Sequence, residues 1–228
     1  MDIHGDDPWY SYKRNDGGNN KGDGNVKQFN HTLGNTTLQE TESHSYLGVY
    51  IIKDLNWNNH IHKITASANR TLAFIRRNLH SCHINIKTTA CTTLVRRHLE
   101  YSSSVWDPLT QILINKNEIV QRRAARFCLN DYISREAGCV SEMLKQLHLQ
   151  QLVTRRTNRR LTILNKAIYG HLSLPVNNLL QPVQRLSRHL NNKPFNITHV
   201  SKNCYTFSYF PGTIRYWNFL PDAIVNIP

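Results

Sequence analysis

The sequence predicts a mainly α-helical protein. Apolar residues recur at helical spacing beyond residue 57, the first 28 residues are rich in Gly, Asn and Asp, and aromatic residues cluster near the C-terminus. These patterns predict a helical bundle that follows a disordered tail and a short β-hairpin and precedes an aromatic extension. The predicted segments are a disordered 1–28, a hairpin at 29–56, a bundle at 57–170, a loop or linker at 171–203 and a docking tail at 204–228.

The tail and the hairpin differ in composition. The segment RNDGGNNKGDGN lies within 1–28 and cannot bury enough apolar surface to offset the entropy lost on ordering. The runs FNHTL, GNTTL and SYLGVYII contain β-branched and aromatic residues. They predict short strands in a hairpin, with Gly34-Asn35 near the turn.

The first helix is predicted from about Asn58 to Leu79. Its apolar residues recur at steps of three and four, which places them on one face: Ile61, Ile64, Ala68, Leu72, Ile75 and Leu79. Its basic residues lie off that face: Lys63, Arg70, Arg76 and Arg77.

Two further helices are predicted before residue 130. One follows Asn85 and stops before Pro108. Its inward-facing residues are Ala90 and Leu94, with His98 and Tyr101 as further candidates. The next helix extends from about Ile112 to Leu129 and buries Val120, Ala124 and Phe127.

The C-terminal half contains two more predicted helices. A short one begins at Ser141, with Glu142 near its positive end. A longer one covers Leu152 to Tyr169 and ends at Gly170. Its inward-facing residues are Leu161, Leu164 and Ile168. The aromatic tail YTFSYFPGTIRYWNFLP predicts a strand and a short helix that dock back onto the bundle.

The charge is strongly positive and unevenly distributed. The chain has 28 Lys and Arg against 15 Asp and Glu, a formal net charge of +13. Residues 57–228 carry a net charge of +16, whereas residues 1–56 carry −3. This balance favours a polyanionic partner such as nucleic acid or an acidic membrane surface.

The cysteines and the hydropathy indicate the cellular compartment of the protein. The five cysteines have irregular spacing and no Cys-x-x-Cys pair, which is typical of reduced cysteines in the nucleus or cytoplasm. The N-terminal sequence MDIHGDDPWY does not match a signal peptide, and no stretch approaches 18 apolar residues. We therefore expect an intracellular protein with no membrane span.

Paired arginines are the main candidates for ligand binding, because a guanidinium donates two parallel hydrogen bonds to a phosphate and stays charged. The candidate nucleic-acid-binding residues are Arg76, Arg77, Arg96, Arg97, Arg122, Arg123, Arg126, Arg155, Arg156, Arg159 and Arg160. The alternative is a solvated helix face with local ion pairs. In that case Glu118 pairs with Arg122, and Glu100 pairs with Arg96 or Arg97.

Other functional signals favour structural roles. Trp57, Trp106 and Trp217 are predicted to pack against the bundle rather than to stack on bases. The segment His80-Ser81-Cys82-His83, even with Cys139 and His148, lacks the second regular ligand pair of a zinc site, so no metal site is predicted. The sequence contains no Walker loop or Gly-rich nucleotide fingerprint.

Several short motifs in one order resemble a known family. They are Tyr46-Leu47-Gly48-Val49, Leu55-Asn56-Trp57, His60-Ile61, Asn69-Arg70, Leu94-Val95-Arg96, Leu99-Glu100-Tyr101, Val105-Trp106-Asp107-Pro108, Val120-Gln121-Arg122-Arg123-Ala124-Ala125-Arg126-Phe127, Arg155-Arg156, Phe207-Ser208-Tyr209-Phe210-Pro211, Thr213-Ile214, Trp217-Asn218 and Leu220-Pro221. This order resembles the region after the catalytic palm in Jockey-like reverse transcriptases of LINE-type (non-LTR) retrotransposons. The likeness covers residues 46–221.

The resemblance implies the last palm hairpin, a helical thumb and a post-thumb region. The family reverse-transcribes its element's RNA with two metal ions held by the palm. Its Tyr/Phe-Ala-Asp-Asp motif is absent from this sequence, so magnesium would belong to the missing palm and no cofactor is expected. The pair Asp6-Asp7 precedes Pro8, which cannot donate to a sheet. We therefore expect a solvated tail there and no enzyme activity.

Two classes of function follow. As a reverse-transcriptase fragment without its palm, the chain would bind RNA, DNA or an RNA–DNA hybrid through phosphates, without sequence preference. The alternative is a helical module that binds proteins or acidic surfaces, or a decayed retroelement product with no selected function. The sequence leaves open whether the basic faces converge on one surface.

Overall fold

The computed structural model describes residues 10–12, 31–33, 36–39, 41–108, 110–173, 176–184, 189–197, 203–206 and 208–227. The described secondary structure is mainly helical, which confirms the predicted fold class. The chain divides into two compact units, residues 1–44 and residues 45–228. None of the described helices combines the length and the apolar composition needed to cross a membrane.

The first unit contains a three-stranded antiparallel sheet with the order β1-β2-β3. The strands are β1 (Tyr10–Tyr12), β2 (His31–Leu33) and β3 (Thr36–Thr37). Strand β1 differs from the disorder predicted for 1–28. The rest of that segment and the predicted turn at Gly34-Asn35 lie outside the described residues.

A two-stranded hairpin spans the boundary at residue 44 and lies mostly in the second unit. It consists of β4 (Ser43–Tyr46) and β5 (Val49–Ile52). The turn residues Leu47 and Gly48 have φ angles of 46° and 78°, in the left-handed region that a two-residue hairpin turn requires. The run SYLGVYII therefore contributes to two strands and the turn between them, because the glycine allows the chain to reverse.

Helices form most of the second unit. They are α1 (Asn58–Asn78), α2 (Ile84–Ala90), α3 (Arg96–Glu100), α4 (Gln111–Leu129), α5 (Cys139–Gln146), α6 (Leu152–Ile168), α7 (Val176–Leu179), α8 (Asn203–Thr206), α9 (Tyr209–Asn218) and α10 (Asp222–Val225). The bounds of α1, α4 and α6 agree with the predictions to within one residue. Helix α5 begins two residues before the predicted Ser141, after Gly138.

The buried face of the second predicted helix differs from the prediction. A π-helical turn, Cys91–Val95, joins α2 to α3. The buried residues of α2, this turn and α3 are Lys87, Cys91, Val95, Leu99 and Glu100, whereas Leu94 and Tyr101 are exposed. A π turn contains more residues than an α turn, so residues spaced by four stay on one face. The helix therefore buries Cys91, Val95 and Leu99 instead of the predicted Leu94 and Tyr101.

Three hydrophobic clusters stabilise the second unit. The largest joins α1, the helix α2–α3, α4, α5 and the start of α6. A second surrounds Leu164, Ile214 and Trp217 on α6 and α9. A third places Val49 of the hairpin against Ile61 and Trp106. The hairpin, α1 and the segment after α3 therefore share one core.

The described part of 171–203, predicted as a loop or linker, packs against the rest of its unit, since Leu180 is buried and Pro182 forms a β-bridge with Phe195. The tail differs from the prediction in one respect. The described tail is helical in α8, α9 and α10 and contains no strand. The aromatic tail does dock, because Trp217 is fully buried and its indole Nε1 donates to the Lys193 carbonyl at 3.0 Å.

Candidate nucleic-acid interface

Two of the eleven candidate arginines lie in the interior. Arg156 and Arg160 are 1% and 6% exposed. Arg156 Nε donates to one carboxylate oxygen of Asp107 at 3.1 Å, and Arg160 Nη1 donates to the other at 2.7 Å. Arg160 also donates to Thr213 Oγ1 and to the carbonyls of Ser208 and Tyr209. Because these groups are buried and oriented inwards, the prediction that they contact phosphates does not fit the structure.

A second acidic residue, Glu100, holds the neighbouring arginines of α6 through its carboxylate and its backbone carbonyl. Arg155 Nη2 donates to Glu100 Oε2 at 3.0 Å, and Arg155 Nε donates to Oε1. Arg159 Nη1 donates to the Glu100 carbonyl at 3.0 Å, and Arg96 Nε lies 4.0 Å from Oε2. The predicted pair between Arg96 and Glu100 is therefore present. Because these arginines already contact Glu100, fewer of their hydrogen-bond donors are available to a ligand.

The arginines of α4 have local partners as well. Arg126 donates to the carbonyls of Asp131 and Ser134 and thereby closes the loop after α4. Arg123 Nη1 donates to Asn69 Oδ1 at 3.2 Å. Arg122 is exposed, but it lines a small pocket of about 230 Å³ together with Glu118 and Glu136.

The exposed side of α1 carries a row of cations. Lys63, Arg70 and Arg77 are exposed and follow one another at intervals of seven residues. In an α-helix this spacing aligns them along the axis, about 10 Å apart. Helix α1 contains no Asp or Glu. Its solvent face is therefore positive along its length.

A groove of about 670 Å³ lies beside this row, between the hairpin, α1 and α3. The groove is lined by Gly48, Tyr50, Lys63, Ile64, Ala66, Ser67, Arg70, Arg97, His98 and Tyr101. Three of these side chains are permanent cations, two are tyrosines, and none is a carboxylate. We refer to it as the α1–α3 groove.

The permanently charged side chains that line the α1–α3 groove are all cationic. The pKa of His98 is lowered from its ordinary value first by burial and then by the charges of Arg97 and Arg70. The His98 imidazole lies 3.2 Å from Thr71 Oγ1, measured from Nε2, so its ring is held at the wall. The two guanidinium groups therefore favour an anion in the groove and disfavour a further cation.

The two tyrosines are fixed in different ways. Lys63 Nζ lies 3.5 Å from the centroid of the Tyr50 ring, a cation–π contact. Tyr101 Oη donates to the Leu47 carbonyl at 3.1 Å, which attaches the ring to the hairpin turn. Tyr101 nevertheless remains 56% exposed.

A second basic pocket of about 650 Å³ lies on the α4 side of α1. It is lined by Ala73, Arg76, Arg77, His80, Phe127, Asn130 and Tyr132. The Arg76 guanidinium lies 5.2 Å from the Tyr132 ring centroid. Arg77 belongs both to this pocket and to the cation row, so the two basic surfaces meet along α1.

The candidate arginines include only one of the three permanent cations that line the α1–α3 groove. Of the candidate arginines only Arg97 lines it, whereas Lys63, Arg70, His98 and Tyr101 were not among the candidates. The regular seven-residue spacing of Lys63, Arg70 and Arg77 was a usable signal, because it indicates a common face. Restricting the candidates to adjacent arginines excluded it.

The other residues considered as candidate sites are the tryptophans, the metal-ligating side chains and the Asp6-Asp7 pair. Trp106 and Trp217 are buried and Trp57 packs against the third cluster, which confirms that the three indoles are packing residues. Among the described residues, no three metal-ligating side chains lie together. The Asp6-Asp7 pair lies outside the described residues.

Comparisons with protein families, curated proteins and solved structures returned no match.

Proposed function

We propose that the helical unit binds the sugar–phosphate backbone of RNA, DNA or an RNA–DNA hybrid without sequence preference. The observation that supports this most is the α1–α3 groove, in which Lys63, Arg70 and Arg97 converge and no carboxylate contributes to the lining. A phosphate in this groove would meet several donors and no competing anion.

The cation row extends this surface beyond the groove. Lys63, Arg70 and Arg77 lie about 10 Å apart along α1, so they can contact separate phosphates of one strand. Contacts of this kind fix the position of a duplex but carry no sequence information. The exposed arginines of α4 and α6 are secondary, because carboxylates or carbonyls already bind several of them.

We further propose that this unit is thumb-like, as its motif order suggests, and that it grips a template–primer duplex rather than performing chemistry. No catalytic residue, cofactor or metal is proposed for it. A nucleic-acid ligand implies that the protein acts inside the cell, in the nucleus or the cytoplasm.

A charge-reversal variant tests the proposal. In the triple variant Lys63→Glu, Arg70→Glu, Arg97→Glu, affinity for a labelled RNA–DNA hybrid should fall at least about tenfold at low salt. The slope of log affinity against log salt should become shallower by about 2 to 3, because about one phosphate contact is lost per residue. Fluorescence anisotropy across a salt series measures both quantities.

A matched control variant distinguishes the loss of contacts in the groove from the change in net charge. Arg135, Lys145 and Lys166 are exposed and lie outside the α1–α3 groove. Reversing these three to Glu changes the net charge equally, and we expect hybrid affinity to fall much less. If both triple variants bind the hybrid as the unmodified chain does, the proposal is wrong. If the unmodified chain binds anionic vesicles but no hybrid, the acidic-surface alternative replaces it.

A further inference from the structure

We propose that the α1–α3 groove also takes one unstacked base of a single strand, with Tyr101 as the stacking platform. This inference rests on the proposed function and deepens it, since it assigns the base to one part of the groove and the phosphates to another. The groove volume of about 670 Å³ falls within the range of small-ligand sites, roughly 300–1,000 Å³.

The Tyr101 ring is held in place while its face stays accessible. Its hydroxyl donates to the Leu47 carbonyl at 3.1 Å, and the residue remains 56% exposed. Its edge lies beside the hairpin turn, since a Cβ built on Gly48 would lie 3.5 Å from Tyr101 Cε1. A ring fixed in this way loses little conformational entropy when a base stacks on it.

Tyr50, the other tyrosine of the groove, is less accessible to a base. Lys63 Nζ already lies 3.5 Å from the centroid of the Tyr50 ring, and Tyr50 is half-buried. A base that stacked there would have to displace the ammonium group. Tyr101 is therefore the aromatic surface that a ligand can use.

Three permanent cations, Lys63, Arg70 and Arg97, line the same groove as the platform. Arg97 and His98 belong to α3, close to Tyr101 in sequence, while Lys63 and Arg70 form the opposite wall on α1. A nucleotide whose base stacks on Tyr101 could thus place its phosphate among guanidinium groups. Aromatic platforms within basic grooves bind single strands because every base has a π-face.

The same geometry disfavours a duplex at this position. Bases within a duplex are stacked on one another, so a side chain reaches their faces only at an end or an unpaired site. A duplex would contact the cation row through its phosphates but leave Tyr101 unoccupied. Single strands and duplexes should therefore respond differently to substitution of this residue.

The test compares Tyr101→Leu with the unmodified chain. The probes are a labelled oligouridine and a labelled RNA–DNA hybrid, both measured by fluorescence anisotropy. We expect Tyr101→Leu to weaken oligouridine binding about tenfold, equivalent to about 1.4 kcal/mol, and to leave hybrid binding unchanged. Tyr101→Phe keeps the ring and should retain most of the affinity.

The control is Tyr216→Leu, because Tyr216 is 58% exposed on α9 and lies outside the groove. Circular dichroism verifies that every variant is folded. If Tyr101→Leu binds both probes as the unmodified chain does, the stacking inference is wrong while backbone binding stands. Equal loss on both probes also overturns it, since stacking would not be specific to single strands. If the unmodified chain binds neither probe, the proposed function itself fails.

Discussion

His60 shows how one residue connects the hairpin to α1. Its side chain is buried, and its Nδ1 accepts a hydrogen bond from the Tyr50 amide at 3.3 Å. Its ring lies between Trp57 and Trp106, with ring centroids 6.3 and 4.9 Å away. Nε2 is buried with no hydrogen-bond partner among the described residues. A second proton would occupy Nδ1 and break the contact that holds β5.

The protein should therefore lose stability in mild acid. Burial lowers the pKa of His60 from 6.5 to about 4, so the folded state favours the neutral ring. This contribution is complete above pH 6.5 and is lost as the pH falls towards 4, by about 3 kcal/mol in total. Urea unfolding at several pH values should show a smaller loss in His60→Asn, whose amide oxygen can replace Nδ1. Equal pH dependence in both proteins would contradict this assignment, and the exposed His148→Asn serves as control.

Helix α6 directs its arginines to two acidic residues, Glu100 and Asp107. Arg155 and Arg159 are four residues apart and share a face, which is directed to Glu100. Arg156 and Arg160 share the adjacent face, which is directed to Asp107. The segment from α3 to α4 supplies both acceptors, so ion pairs attach this helix to the bundle on two sides.

Removing Asp107 should destabilise the protein strongly. Asp107→Ala leaves Arg156 and Arg160 buried without a counterion, and breaking a buried pair costs about 3 kcal/mol or more. Thermal or urea unfolding measures the loss. The comparison is Glu142→Ala, which removes the exposed pair with Lys145. That variant should behave as the unmodified protein does. Similar stability of both variants would show that the buried pairs contribute little.

At the scale of the whole molecule, the positive charge and the described helices lie in the same part of the chain. Residues 57–228 carry the excess positive charge, and they include all of the described helices. Two clusters of this unit share α6, since Leu152 belongs to the largest and Leu164 to the one around Trp217. The basic surface therefore rests on a continuous scaffold, as a sequence-independent grip on a backbone requires.

We expect the purified chain to bind a primed template without extending it. Two-metal polymerisation requires carboxylates on separate strands, and the sequence lacks the Tyr/Phe-Ala-Asp-Asp motif. The measurement is a primer-extension assay with magnesium and labelled nucleotides. Binding of the RNA–DNA hybrid by the same preparation is the control, because it shows that the protein can bind its proposed ligand. Extension that Asp6→Ala or Asp7→Ala abolishes would assign catalysis to this chain and overturn our interpretation.

Local patterns were sufficient for the three longest helices described, α1, α4 and α6. The bounds of α1, α4 and α6 follow from apolar periodicity, and the positive φ of 75° at Gly170 follows from its position after α6. These features depend on residues within a few positions of one another, so the sequence by itself determined them. The strong positive charge of residues 57–228 belongs to the same class, because it requires no folding.

The tertiary structure alone decided which arginines of α6 face solvent. Arg156 and Arg159 belong to adjacent, similar pairs, yet one is buried against Asp107 and the other is exposed. The acceptors Asp107 and Glu100 lie 49 and 55 residues from Arg156 and Arg155, beyond the reach of any local pattern. The α1–α3 groove has the same origin, because its cations and its aromatic platform come from elements that meet only when their apolar faces pack together.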